Sequence, residues 1–466
     1  MKKFTIFFII LIMCSFLYAS GKEEIQETIP EDNISKILLE VEALYKYLDK
    51  NSIYDINTDE LPELLTKSLI SSLHDDHASF FVEEESLDLE RTISGSYIGI
   101  GIYLTKPDVA YIDRSNRETY MARIISPFSD GPAERAGLKP GDLISHVDGE
   151  DISAMDSDDV SKLLKGEEGV PYTLTVHRAN HIFEVTLTPE EINTPNIRST
   201  IVDNIAYIHI STFNLQTYPL ISEELIKMNV GQLDGLIIDL RNNYGGIVNS
   251  ALEIANLFLE KDTPLIKMKY GEKTAKPDSI YIASNGDRKY LNLPIVLLSN
   301  EGSASSSEIL MACLQENDRA VVIGQNSFGK GTVQDVLPYK DGYIKFTTAE
   351  YVTNNDVKIN KVGIKPDIET VEETIEADVY FGFINDNQEK INKFLEDNSE
   401  FTEENIEKFV NTFKTDKLKD NALKAYIKSS YINEMNMDDR PIVDLELDTT
   451  LLEGIKYIKG LWEYFY

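Results

Sequence analysis

Between Pro195 and Pro366 short apolar runs alternate with stretches of helical periodicity, and no other feature of the chain constrains its fold as much. Asn204–Ser211, Gly235–Leu240, Leu293–Leu298 and Ala320–Ile323 read as strands. Tyr218–Met228, Val248–Leu259 and the stretch around Glu308–Leu314 read as the intervening helices. Runs this apolar belong to strands covered on both faces, so residues 191–370 should form an α/β core around a largely parallel sheet.

The flanking texture differs. Ile34, Ile37, Leu38, Val41, Leu44, Tyr45 and Leu48, then Leu61, Leu65, Leu69 and Leu73, repeat at helical spacing and make residues 21–90 a helical lead-in. Two amphipathic helices cannot enclose a core, so they must pack on the rest of the chain or on a second subunit. Helical periodicity returns over 371–466, through Ile406, Phe409, Val410 and Phe413 and through Leu451, Leu452, Ile455 and Ile458. Residues 91–190 are instead glycine-punctuated β segments with two short helices. The 466 residues thus divide into four folded regions.

With 79 acidic against 45 basic residues the formal net charge is −34. Binding a phosphate backbone takes clustered Lys and Arg, so nucleic acid is excluded as a partner and anionic headgroups are disfavoured. Lys2 and Lys3 precede the apolar run Phe4–Ala19, which small and charged residues follow; residues 1–20 read as a signal peptide. The run is shorter than the ~20 residues that span a bilayer. Export to a periplasmic or other extracytoplasmic space is expected, with two forms of membrane attachment left open. One is an uncleaved signal. The other is a lipid on Cys14, since Leu11-Ile12-Met13-Cys14 has the outline of a lipoprotein processing box, although Met13 is large for it. Cys313 then has no disulfide partner, and its apolar surroundings make it a small buried hydrophobe.

Two stretches carry chemistry. In Leu297–Glu308 an apolar strand breaks into Gly302-Ser303-Ala304-Ser305-Ser306-Ser307 and opens a helix, which places a serine on a tight turn beside backbone N–H groups. A simple helix cap would use the same residues. In Ile323–Gln334 a lysine stands between glycines after another strand. Gly324, Gly329 and Lys330 fit a nucleotide-binding loop, but Gly331 replaces the Ser/Thr that holds Mg²⁺ and Thr332–Pro338 does not read as the required helix. The remaining reading joins the stretches as a Ser/Lys dyad. A Ser-His-Asp triad finds no context among the six histidines. His74 and His77, beside Asp75 and Asp76, have a spacing that could hold a metal, though no metal or other cofactor is required.

Taken together these motifs resemble the carboxyl-terminal processing, or tail-specific, serine peptidases. Asp239–Gly246, Gly302–Glu308, Phe328–Gln334 and Gly363–Asp367 occur in that family's order. Residues 91–190 resemble its PDZ domain: Tyr97–Ile102, with Ile98, Gly99, Ile100 and Gly101, looks like the carboxylate-binding loop, and Pro132–Asp142 like the helix-and-turn signature. The resemblance implies a PDZ domain joined to a crotonase/ClpP-like α/β peptidase core with helical ends. It implies Ser305 as nucleophile, Lys330 as its base, Gln334 as the support of that lysine, and an oxyanion hole from the backbone of Ser306 and of the Gly245-Gly246 turn. The partners implied are protein or peptide substrates held by their C-termini, and further copies of the chain.

Keeping a lysine neutral near pH 7 against an ordinary pKa of ~10.4 costs roughly 4–5 kcal/mol, so Lys330 should be largely buried. The chain departs from the family at Ser306, at Tyr244 and at Thr353–Asp356, none of which removes a backbone donor. The acidic residue that some members carry in the helix after the nucleophile falls at Glu316. A noncatalytic PDZ scaffold or chaperone holding C-terminal peptides is the alternative.

Overall fold

The computed structural model describes residues 31–82, 93–106, 116–128, 131–179, 181–274, 276–284, 290–340, 342–371, 377–433, 435 and 439–465. The expected signal segment with Cys14 lies outside them. The described residues fall into two compact units, divided between Leu73 and His74. The first contains α1 (Glu31–Asn51) and α2 (Leu61–Ser71), where the periodicity placed them. Pro62 suits the first turn of α2, where its missing N–H costs nothing. The apolar side chains Ile37, Leu38, Leu44 and Leu69 are exposed.

The second unit opens with β1 (Ser79–Phe81) and continues into the PDZ-like module. This comprises β2 (Ser96–Gly99), β3 (Ile102–Thr105), β4 (Ala122–Pro127), β5 (Leu143–Val147), β6 (Glu150–Asp151), α3 (Ser157–Lys165), β7 (Tyr172–Arg178), β8 (His181–Leu187) and β9 (Glu190–Asn193). The sheet order is β3-β4-β5-β7-β8, with β6 on β5, around a core that includes Ile124, Ile144, Val160 and Leu174. The expected strand over Tyr97–Ile102 is two strands: β2 leaves the sheet to pair with β9, and β3 remains as its edge. Asp142 explains why the Pro132–Asp142 turn ends in aspartate. Buried, it accepts Lys139 N–H at 2.9 Å and a bidentate Arg178 at 2.7 Å to each oxygen.

The α/β core follows: β10 (Ile197–Val202), β11 (Ile205–Ile210), α4 (Thr217–Lys227), β12 (Gly235–Asp239), α5 (Val248–Asn256), β13 (Pro264–Tyr270), β14 (Ser279–Ile282), β15 (Ile295–Ser299), α6 (Ser306–Gln315), β16 (Val321–Gly324), β17 (Thr332–Tyr339), β18 (Gly342–Val352) and β19 (Ile368–Glu369). Its main sheet runs β10-β11-β12-β15-β16-β19, parallel except for β10. The period of two sorts its side chains: Leu236, Ile238 and Leu297 face α4, α5 and α6, while Ile237, Val296 and Leu298 face the other way. α6 is apolar on every side and buried along its length, and Cys313 within it is fully buried with Sγ 3.3 Å from Leu265 O. Burial pushes that thiol far above its ordinary range, as befits a packing residue.

A second, antiparallel sheet was not expected. The hairpin β17–β18 anchors it; the far edge of β18 takes β1 and then β13, which carries β14. The helical lead-in therefore ends by giving a strand to the core. The tail also divides. α7 (Ala377–Asp397), α8 (Glu403–Phe413) and α9 (Asp420–Asn433) close a core of their own around Phe394, Phe409 and Ile427. α10 (Thr449–Phe465) instead lays Leu451, Ile455 and Ile458 on the open face of the main sheet. The sheet is thereby covered on both sides, as its sequence required.

Candidate active site

The three turns that carry the expected site leave the carboxyl ends of adjacent parallel strands: Asn242–Gly246 after β12, Gly302–Ser305 after β15, and Gln325–Gly331 after β16. Open α/β sheets place ligands at that edge. Ser305 closes the second turn with φ 56° and ψ −112°, a backbone strain that a serine accepts only where its surroundings impose it.

The four serines of the turn do different things. Ser303 donates to Leu240 O at 2.8 Å, Ser306 to Gly246 O at 2.9 Å and Ser307 to Asn243 O at 2.9 Å, so each staples the Ser305 turn to the β12 turn. Among the described residues Ser305 alone of the four gives its hydroxyl hydrogen to no protein group. It is half-buried, at the N-terminus of α6.

What holds this turn to the lysine loop is Glu308, which the sequence reading passed over. Its side chain is 0% exposed. One oxygen accepts Ser305 N–H (2.8 Å) and Lys330 N–H (2.8 Å); the other accepts Ser327 Oγ–H (2.6 Å) and Gly329 N–H (2.7 Å). One acceptor group thus spans the Ser305 turn and the Lys330 loop. The signal was present in the sequence as a lone carboxylate in an otherwise apolar, buried run. Glu316, the acidic position expected from the resemblance, sits at the far end of α6 and accepts Asn355 N–H at 3.3 Å.

Lys330 differs from its expectation: it is half-buried rather than largely buried. Burial lowers its pKa from the ordinary lysine value, Lys345 lowers it further, and Glu308 opposes both. Among the described residues its amine has no hydrogen-bond or ion-pair partner, Ser305 Oγ included. The loop runs straight into strand β17, so the helix that a nucleotide-binding lysine loop needs is replaced by a strand. Gln334, on β17, donates to Thr332 Oγ1 at 2.9 Å and Thr347 Oγ1 at 3.2 Å.

The oxyanion candidates sort by what their N–H groups already do. Gly245 N–H is spent on Asn243 Oδ1 at 2.9 Å, which removes it as the expected donor. Gly246 N–H and Ser306 N–H have no acceptor among the described residues. Glycine at 245 is obligatory: φ is 101°, and a Cβ there would lie 2.7 Å from Ser305 Cβ and 3.0 Å from Ser306 N. Asn243 secures the turn from beneath, donating to Ile210 O at 2.8 Å and accepting Ala304 N–H at 2.9 Å through its carbonyl. Further down, Arg241 forms paired bonds to both Asp239 and Asp448, joining the β12 turn to the start of α10.

In the PDZ-like module a groove of ≈ 560 Å³ lies between β3 and α3, lined by Gly101, Ile102 and Leu104 on one side and Ser161, Leu164 and Lys165 on the other. Gly99 and Ile100 also line it; Ile98, paired with Glu191 in the β2–β9 ribbon, does not. His146 Nδ1 and His177 Nε2 both lie 2.9 Å from Ser145 Oγ inside this module, away from the Ser305 turn.

Comparison with known proteins fits this geometry. Residues 204–370 match the model of peptidase family S41 and residues 126–178 that of the PDZ domain. The chain is 30% identical over 328 residues to the "Probable CtpA-like serine protease" of Staphylococcus haemolyticus (strain JCSC1435), covering 70% of its own length and 63% of the relative's. To the protein of the same description from Staphylococcus aureus (strain MRSA252) it is 28% identical over 360 residues, or 77% of this chain and 69% of that one. Among solved structures the photosystem II D1 C-terminal processing protease is 25% identical, with TM-score 0.41 over 72% of this chain and 93% of that one.

Proposed function

We propose that this chain is an exported serine endopeptidase that takes protein C-termini in its PDZ groove and cuts peptide bonds with a Ser305/Lys330 dyad. The observation that carries the reading is the singular state of Ser305. It is strained and half-buried, its oxygen caps α6 but its hydroxyl hydrogen is unspent, and Ser306 N–H and Gly246 N–H are open beside it among the described residues. Neutral Lys330 takes the Ser305 proton as Oγ bonds the scissile carbonyl carbon; the oxyanion is received by the two N–H groups. Lys330 then returns the proton to the departing amine; it next takes a proton from water as the water oxygen bonds the acyl carbon, and gives that proton to Ser305 Oγ as the ester bond breaks and the acid leaves. The unbonded amine and hydroxyl come into contact when substrate fills the turn, since such bonds tighten in the loaded site.

The edge strand β3 supports peptide capture, because its outer N–H and C=O groups can take a substrate tail as a further strand along α3. Tyr244 and Phe328, both exposed, offer apolar surface to an unfolded chain next to the two turns. The parallel sheet with its second antiparallel layer suits a crotonase/ClpP-like core. The apolar faces of α1 and α2 suit self-association, and an uncleaved signal or a lipid on Cys14 would hold the enzyme at a membrane outside the cytoplasm.

Digestion of a denatured protein, read by mass spectrometry of the fragments, tests the proposal. The wild-type chain should cut, while Ser305→Ala and Lys330→Ala should fold and not cut. Equal cleavage by either variant would remove the dyad; a wild-type chain that binds C-terminal peptides without cutting them would make it a scaffold.

A further inference from the structure

Asp75, between the two histidines whose spacing could hold a metal, turns onto the β17–β18 hairpin instead. Its carboxylate accepts Thr347 N–H at 2.7 Å, Thr347 Oγ1–H at 3.0 Å and His77 N–H at 3.0 Å. Burial pushes its pKa up, and the bonds from Thr347 and His77 outweigh that, holding it below the ordinary aspartate value. At neutral pH it is an anion that only accepts.

A chain of forced choices follows. The single hydroxyl hydrogen of Thr347 is committed to Asp75, so this oxygen can only accept from Gln334. An amide has one donating and one accepting end, and only its hydrogen-bond partners decide which faces where. Gln334 must therefore point its NH2 at Thr347 and Thr332. Along β17 the positions Thr332 and Gln334 share a face, Thr347 stands directly across from Gln334, and Lys330 lies in the loop that leads into the strand, two residues before Thr332. The remaining end of the amide, Oε1, is what Gln334 has left for the lysine of the preceding loop.

We infer that Asp75 is a positioning residue for the base: through Thr347 it locks the Gln334 amide with Oε1 toward Lys330. This rests on the Ser305/Lys330 reading. The ammonium that forms when Lys330 takes the Ser305 proton then meets an acceptor, whereas a flipped amide would set N–H against it and oppose the charge. The other charged groups acting on Lys330, Glu308 from α6 and Lys345 from β18, are untouched by this device. It also ties the segment directly after the N-terminal helices to the chemistry.

The test measures kcat and KM against pH for the full-length chain on a fluorogenic peptide with a free C-terminus. Asp75→Asn and Thr347→Val should lower kcat roughly tenfold to hundredfold, the scale of a misplaced catalytic group, with KM within about twofold. Their acid limb should move to lower pH, because the ammonium loses its acceptor, and Asp75→Glu or Thr347→Ser should restore part of the rate. The double variant Asp75→Asn/Gln334→Ala should be no slower than Gln334→Ala alone. Direct titration of Lys330 by NMR gives the same answer without turnover: its pKa falls in Asp75→Asn. Wild-type kcat in Asp75→Asn, losses that multiply in the double variant, or an unmoved Lys330 titration would overturn the inference. Wild-type activity in Gln334→Ala would overturn it while leaving the dyad standing, and only an active Ser305→Ala would strike the peptidase reading itself.

Discussion

The turn that bears Ser305 is bonded on every side, through Ser303, Ser306, Ser307, Asn243 and Glu308, while the amine of Lys330 stands in the loop before β17, where burial and nearby charges act on it. A nucleophile must be placed to within a fraction of an ångström, and hydrogen bonds from several elements do that. A base must be uncharged before the reaction and charged during it, so a fixed ion pair would defeat it. The two halves of the dyad therefore face opposite demands, and Glu308 serves both by gripping only backbone N–H groups and one hydroxyl.

The largest effect should come from cutting that grip. Glu308→Ala leaves three N–H groups and a hydroxyl unpaired in a buried site, at about 1–3 kcal/mol for each group that water cannot reach. Urea unfolding should show a loss of at least about 3 kcal/mol, together with loss of proteolysis. Glu308→Gln, which keeps the shape but sets an NH2 among donors, should lose less stability and still lose most activity.

Next is the scaffold below the turn. Arg241→Met strands Asp239 and Asp448 without their shared cation, and breaking such a partly buried pair costs about 3–5 kcal/mol. Thermal unfolding should register it, and proteolytic nicking should report an α10 released from the sheet.

The base side should respond more gently and in pH rather than in stability. Lys330 acts when neutral, so proteolysis should rise with pH through its pKa, which burial and Lys345 hold below the ordinary lysine value. Lys345→Met removes one depressing charge, raises that pKa and moves the acid limb of the kcat profile to higher pH. A limb that stays put or moves down would show that Lys345 does not act on Lys330. Smallest of all, Cys313→Ala should retain full activity and lose about 1 kcal/mol of stability, the scale of a small buried group removed from a packed helix.

Much of this comparison was legible before any coordinates. Helical and strand periods located α1, α2, α4, α5 and the four central strands β11, β12, β15 and β16 of the main sheet, but not its edges β10 and β19, because burial against a sheet imposes them directly. The motif order singled out Ser305 and Lys330. What periodicity cannot supply is the identity of the partner surface: Leu451, Ile455 and Ile458 announced an amphipathic helix but not that the main sheet lay under it. The second sheet escaped because its strands are half-buried, with Lys267, Lys269, Thr347 and Lys345 interleaved among apolar residues, and such a pattern resembles solvated loop. Glu308, Asp75 and the choice of Gly246 over Gly245 were hidden for another reason. Each depends on which hydrogen-bonding group is already spent, and that is settled only when distant turns meet.

The account's central claim is that one serine in a run of four is chemically available, and trapping its acyl-enzyme tests this most directly. An activated peptide ester, acid-quenched within the first turnover and mapped by peptide mass spectrometry, should leave its acyl group on Ser305 and on no neighbour, with no adduct in Ser305→Ala. An adduct on Ser303, Ser306 or Ser307, or one that persists in Ser305→Ala, would contradict it.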